Sequence, residues 1–227
     1  MKMRDVIVDA GVLISLTSGC LDNLLYFYHE KFGLRFIIPP SVEREVIGRP
    51  LNDRIRKYLF SAIRIKNAID DGVVVVVDAK LEDKMQSLMQ EANNLFFVRG
   101  KPLRLIHKGE AEMLVLAKEL GVEYILIDER TTRMLIEAPI PLKKHLAEEF
   151  RVNVMVNKKN LQSLVSQIGP LRAIRTSELV MLAHEKGFFK NYGEMHKDAL
   201  EAALFKIKYS GCSVGFREIK EYMSGVQ

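Results

Sequence analysis

The sequence predicts an α/β protein with a central, mainly parallel sheet flanked by helices, followed by a mainly helical C-terminal extension. Three observations carry this prediction. Four short apolar runs rich in β-branched residues, at 6–8, 34–38, 73–77 and 124–127, have the length and composition of buried strands. Stretches with apolar residues at helical spacing separate them, the alternation of a βαβ layer structure. From Thr176 onward the pattern is helical alone, with Leu179, Leu182 and Ala183 on one face and Leu200, Ala203, Leu204 and Ile207 on the next.

Taken in order, the first run closes on Asp9 and feeds an apolar helix that ends near Gly19. A helix over 21–32 stops at Gly33, where a glycine can take the left-handed conformation. The strand 34–38 ends at Pro39-Pro40, and Ser41 is placed to cap a helix over 42–47 that carries Glu43 and Glu45. An amphipathic helix over 54–71 leads to the valine run, which reads as a central strand. Then come a helix over 81–95, the loop RGKPLRLIHKG, a helix over 110–120 and the fourth strand. Beyond Asp128 the rhythm changes. Pro139 and Pro141 interrupt the chain, 143–151 is charged, 152–156 could form another strand, and Gly169-Pro170 is a further break. The expected organisation is an α/β domain over 1–138, an insertion or linker region over 139–175, and a helical extension over 176–227.

A chain of 227 residues and 25.9 kDa fits one domain plus an appendage. Its 48% hydrophobic and 28% charged residues exclude a disordered or collagen-like chain. No apolar run approaches the ~20 residues that span a bilayer, and the start MKMRDV lacks the apolar core of a secretory signal, so a cytoplasmic protein without a membrane partner is expected. Cys20 and Cys212 have no partner at metal spacing, which argues against a disulfide scaffold or structural zinc, and both read as buried small hydrophobes. The net charge of +5 is compatible with a polyanionic partner without requiring one.

In an open parallel sheet, ligands bind beyond the carboxyl ends of the strands. Asp9 and Asp128 end the first and fourth strands and therefore share that edge. Glu45 lies on the helix after the second strand, and Glu110, with Glu112 beside it, opens the helix before the fourth. Singly, each has a plain role as a cap or a first-turn acid. Together, four acids converging without a counter-charge require a cation. Oxygen donors without His or Cys favour Mg²⁺ or Mn²⁺ over zinc and suit phosphodiester hydrolysis.

The segments VIVDAGVLISL, IIPPSVEREVI and HKGEAEMLVLAKELGVEYILIDERTTRML, in this order and spacing, resemble a PIN domain, the metal-dependent nuclease fold of VapC-type toxins and several RNA-processing proteins. The resemblance covers about residues 4–137. It implies a three-layer PIN-like fold and a Mg²⁺- or Mn²⁺-dependent endoribonuclease. It places catalytic and metal-binding carboxylates at Asp9, Glu45, Glu110 and Asp128, with Glu112 and Glu129 as auxiliaries. Ala10 and Gly11 stand where many members have a hydroxyl or amide residue, and Ser15 is the candidate substitute. The tail TSELVMLAHEKGFF is similar to the end of a PIN subgroup of predicted nucleic-acid-binding proteins, with 139–175 inserted. The resemblance also implies a helix-mediated homodimer, and ranks an antitoxin-like protein partner below an RNA-processing role.

A substrate strand needs positive charge near the acids. Arg99, Lys101, Arg104 and Lys108 in the loop before Glu110, and Arg130 and Arg133 beside Asp128, are the candidates for nucleic-acid binding. Phe96 and Phe97 read as core. The expected substrate is RNA, with DNA left open. The alternative is a nucleic-acid-binding or RNA-processing assembly protein that keeps the fold with little or no catalytic activity.

Overall fold

A computed structural model describes residues 3–226. In chain order its elements are β1 (Arg4–Val8), α1 (Ala10–Ser18), α2 (Asn23–Phe32), β2 (Leu34–Ile38), α3 (Pro40–Glu43), a π-helical turn (Arg44–Gly48), α4 (Arg49–Asn52), α5 (Arg56–Asp70) and β3 (Val74–Val76). They continue with α6 (Glu82–Asn93), β4 (Phe96–Val98), β5 (Lys101–Pro102), α7 (Lys108–Leu120), β6 (Tyr124–Leu126), α8 (Arg130–Glu137), α9 (Pro139–Phe150), β7 (Val154–Val156), α10 (Lys158–Ile168) and β8 (Arg172–Ile174). The tail holds α11 (Thr176–Glu185), a 3-10 segment (Phe188–Met195), α12 (His196–Tyr209) and α13 (Phe216–Ser224).

The main sheet has five parallel strands in the order β3-β2-β1-β6-β8. Four of them are the apolar runs of the sequence. The strand order reverses at β1: β2 and β3 lie to one side, β6 and β8 to the other. Asp9 and Asp128 follow the two strands that flank this switch point, where open α/β sheets bind ligands. The helices flank the sheet; α2 packs on β2, α7 on β1, and α1 against α5 and α11. Ile7, Val8, Phe36, Ile37 and Ile38 are fully enclosed, which explains why the carboxyl-terminal halves of these two strands are apolar, while Asp5 and Arg35 pair at their more open amino-terminal ends.

Several sequence expectations are corrected. The valine run is an edge strand, and accordingly Val75 and Val76 are only half-buried. Pro139 does not interrupt the chain; it occupies the first turn of α9, where a missing N–H leaves no hydrogen bond broken. The loop after α6 begins as a hairpin: β4 pairs antiparallel with β5 around Arg99-Gly100, both in the left-handed region, and with β7 on its other side. This second, three-stranded sheet is buttressed by α9, which packs on β7, and α10 packs on α6 and α7. The stretch 139–175 thus carries α9, β7 and α10, and its last strand, β8, is the edge of the main sheet. Cys20 is exposed, whereas Cys212 is buried. Among the described residues no single helix is long and apolar enough to cross a membrane.

The helix after β2 runs from Pro40 to Asn52, with a π turn at its middle. Pro50 supplies the physical reason: it cannot donate an N–H, and in a regular α-helix its ring would clash with the carbonyl four residues earlier. The extra residue shifts the register, so that the Arg49 N–H bonds the Arg44 carbonyl. Glu45 lies on this π turn and is exposed.

Candidate active site

Asp9 leaves β1 in an extended conformation and caps α1, its Oδ2 accepting from the Gly11 N–H at 3.2 Å. Its own N–H donates to Leu126 O, which ties it to β6. Burial, with the Glu110 and Glu45 carboxylates adding to it, pushes the Asp9 carboxyl up to about 7, although the Gly11 N–H pulls the other way. Two of the other sequence-predicted acids, Glu110 and Glu45, therefore act on Asp9. Glu110 also accepts from the His107 N–H at 2.9 Å, the first-turn bond of α7. Glu112 accepts from the Ser41 N–H at 3.2 Å and so joins the start of α3 to α7.

Asp128 is treated differently. It is buried, and both carboxylate oxygens accept hydrogen bonds from chain that follows the sheet. Oδ1 takes the Thr176 N–H at 2.8 Å and the Cys212 thiol at 3.2 Å; Oδ2 takes the Thr176 hydroxyl at 2.7 Å. Ser213 donates to the Asp128 carbonyl at 2.9 Å and accepts from Arg133 at 3.2 Å. Burial and the neighbouring Asp128 charge push the Cys212 thiol up to about 12, so it stays protonated and able to donate. Glu129 caps α8, accepting from the N–H groups of Thr131 and Thr132. Ser15 is buried and donates to Ser210 O at 3.4 Å, which directs its hydroxyl to the tail.

The sequence missed Thr176, Cys212 and Ser213. Thr176 follows a strand too short to stand out, and the other two reach Asp128 only through tertiary folding.

Of the predicted basic residues, Arg99, Lys101, Arg104 and Arg130 are exposed and form no ion pair among the described residues. Lys108 pairs with Glu82 at 3.1 Å, and Arg133 is engaged by Ser213. Phe96 is core, while Phe97 is half-buried. A cavity of about 830 Å³ opens at the opposite, amino-terminal edge of the sheet, lined by Val6, Tyr28, Leu34 and Tyr124, and holds none of the four acids.

Among the described residues no three His, Cys, Asp or Glu side chains stand close enough together to hold an ion as placed. The donor chemistry nonetheless fits a hard divalent cation: Asp9, Glu45 and Glu110 offer oxygen alone, and the two glutamates disfavour a charge on Asp9. No Lys or Arg neutralises them among the described residues. The Ser41 hydroxyl, beside Gly109 in the first turn of α7, is enclosed without a hydrogen-bond partner.

No curated protein and no solved structure matches the chain. A sequence model of one family, described as a PIN domain, matches residues 5–138, more than half of the chain, and spans β1 through α8 with all four acids. PIN domains are nuclease-type folds that generally work with divalent metals. On that match and on the parallel sheet whose strand order reverses beside Asp9, the chain belongs to the PIN domain family.

Proposed function

We propose that the protein is a Mg²⁺- or Mn²⁺-dependent endoribonuclease whose centre is built on Asp9, Glu45 and Glu110, with Asp128 on its far side. One observation carries this reading: a carboxylate at the switch point of the sheet, raised by burial and by two further acids, with no cation of the chain to neutralise it. A bound divalent cation would supply charge neutralisation at a phosphate and a water acidic enough to attack it. Asp9, Glu45 and Glu110 would hold the ion. Asp128, held by Thr176 and Cys212, would keep one further carboxylate at the same edge. Arg130 and the hairpin residues Arg99 and Lys101 provide unpaired positive charge for the phosphate backbone.

A second reading is favoured by one specific observation. Asp128 and Glu129 already serve as hydrogen-bond acceptors within the fold, as they would in an RNA-binding or assembly protein without turnover. Calorimetric Mn²⁺ titration of wild type and Asp9→Asn, run beside cleavage of a mixed RNA pool, separates the two. The nuclease predicts metal binding that depends on Asp9, with cleavage that Asp9→Asn and Asp128→Asn abolish. RNA binding without cleavage, unchanged in both variants, would establish the binder.

A further inference from the structure

The loop that reaches Asp128 is bracketed by two exposed aromatic rings. Tyr209 ends α12 and Phe216 opens α13; they are 75% and 49% exposed, with ring centroids 6.2 Å apart. The loop between them is fastened at successive residues. Ser210 O accepts from Ser15, Cys212 and Ser213 bond Asp128, and Val214 O accepts from Lys208 Nζ at 2.6 Å. The same ammonium lies 4.3 Å from the Phe216 ring centroid, and Phe205 backs that ring from the core side. Two large rings are thus held at the surface by a loop with little freedom left, which lowers the ordering cost of binding anything to them.

We propose that Tyr209, braced by Phe216 at an interplanar angle of 62° and flanked by Lys208, forms a stacking platform for unpaired bases of single-stranded RNA, leading the strand onto the Asp128 side of the acidic edge. The inference rests on RNA being the ligand of that edge and adds the place where the strand is held. Aromatic faces beside cations are the means by which proteins grip single strands without reading sequence. The charge agrees. Between Phe205 and Glu221 the chain carries Lys206, Lys208 and Lys220 outside any ion pair among the described residues, whereas its two acids, Glu218 and Glu221, are already paired with Arg175 and Arg217. So does the position. Tyr209 precedes Cys212 by three residues and Phe216 follows it by four, which places both within roughly 14 Å of a residue that touches Asp128.

The chain contains no tryptophan, so Tyr209→Trp introduces a single reporter on the platform. The full-length variant is titrated in EDTA with a ten-nucleotide single-stranded RNA and, separately, with an RNA duplex of similar charge. Stacking predicts that the single strand quenches the tryptophan emission by about half while the duplex leaves it nearly unchanged. In anisotropy measurements on chains without the reporter, Tyr209→Ala and Phe216→Ala each weaken single-strand binding about five- to thirtyfold, and Tyr209→Phe restores it. Equal quenching by both RNAs, or unchanged affinity in both alanine variants, overturns the platform. Self-association of wild type that Tyr209→Ala abolishes without altering RNA affinity also overturns it, and marks the patch as a contact between copies. Because binding is read without metal, failure here with cleavage intact removes the platform alone. Quenching without metal-dependent cleavage removes the nuclease instead.

Discussion

Asp9 and Asp128 close adjacent strands of one sheet, two residues of the same type on the same edge, and the molecule surrounds them in opposite ways. Around Asp9 are other acids; around Asp128 are hydroxyl, thiol and amide donors from the C-terminal extension. The contrast shows that convergence of carboxylates at a strand edge is two separate problems. A charge left facing like charges is unstable until a cation arrives, whereas one met by fixed donors is stable in the protein by itself. The first arrangement suits binding and the second suits positioning.

The sharpest way to break this contrast is Asp9→Asn. The folded Asp9 carboxyl keeps its proton to about pH 7, whereas the unfolded one releases it near 3.8. The native state therefore binds more protons across that window, and its stability falls as pH rises through it. Without divalent ions at pH 8, Asp9→Asn should be more stable than wild type by up to roughly 4 kcal/mol, and indistinguishable near pH 4. Urea denaturation at the two pH values measures both, and a destabilised variant at pH 8 would contradict the like-charge account.

On the other side, Thr176→Val removes the hydroxyl from Asp128 while keeping the backbone donor. A loss of about 2–3 kcal/mol is expected at pH 7, since the bond is buried and charge-assisted. A change below the error of the denaturation curve would mean that Asp128 is not held as described. Arg175 secures the same side by joining Glu178, Glu218 and Ser213 O. Arg175→Met should cost about 2 kcal/mol, measured in the same way. The smallest effect belongs to Arg130, exposed and unpaired among the described residues: Arg130→Ala should change stability by less than about 0.5 kcal/mol. Its RNA affinity should fall and depend less on salt, which binding isotherms at two ionic strengths would show.

The comparison also marks how far the sequence could be read. On the Asp9 side the positions of Asp9 and Glu110 were legible, because one sits at a strand end that a short β-branched run makes visible and the other in the first turn of a helix, and Glu45 was placed only through the helix that follows the second strand. The Asp128 side was legible only at Asp128 itself. β8 is Arg-Ala-Ile, with no apolar run to separate it from a loop, so Thr176 could not be recognised as the residue that follows a core strand. Cys212 joins Asp128 from 84 residues away, and no local spacing encodes such a contact. The small sheet was hidden for a similar reason: β5 has two residues, one of them proline, and its register depends on pairing rather than pattern.

The 84-residue span between Asp128 and Cys212 also has a temporal meaning. At synthesis rates of about 5–20 residues per second, the thiol emerges at least roughly four seconds after the carboxylate it bonds. Before β8 can pair with β6, the chain must also traverse α9, β7 and α10, and such non-local closure is slow. A growing chain therefore displays Asp9 beside β1 long before Asp128 is seated, and the edge becomes whole only when the C-terminus has folded back onto the beginning.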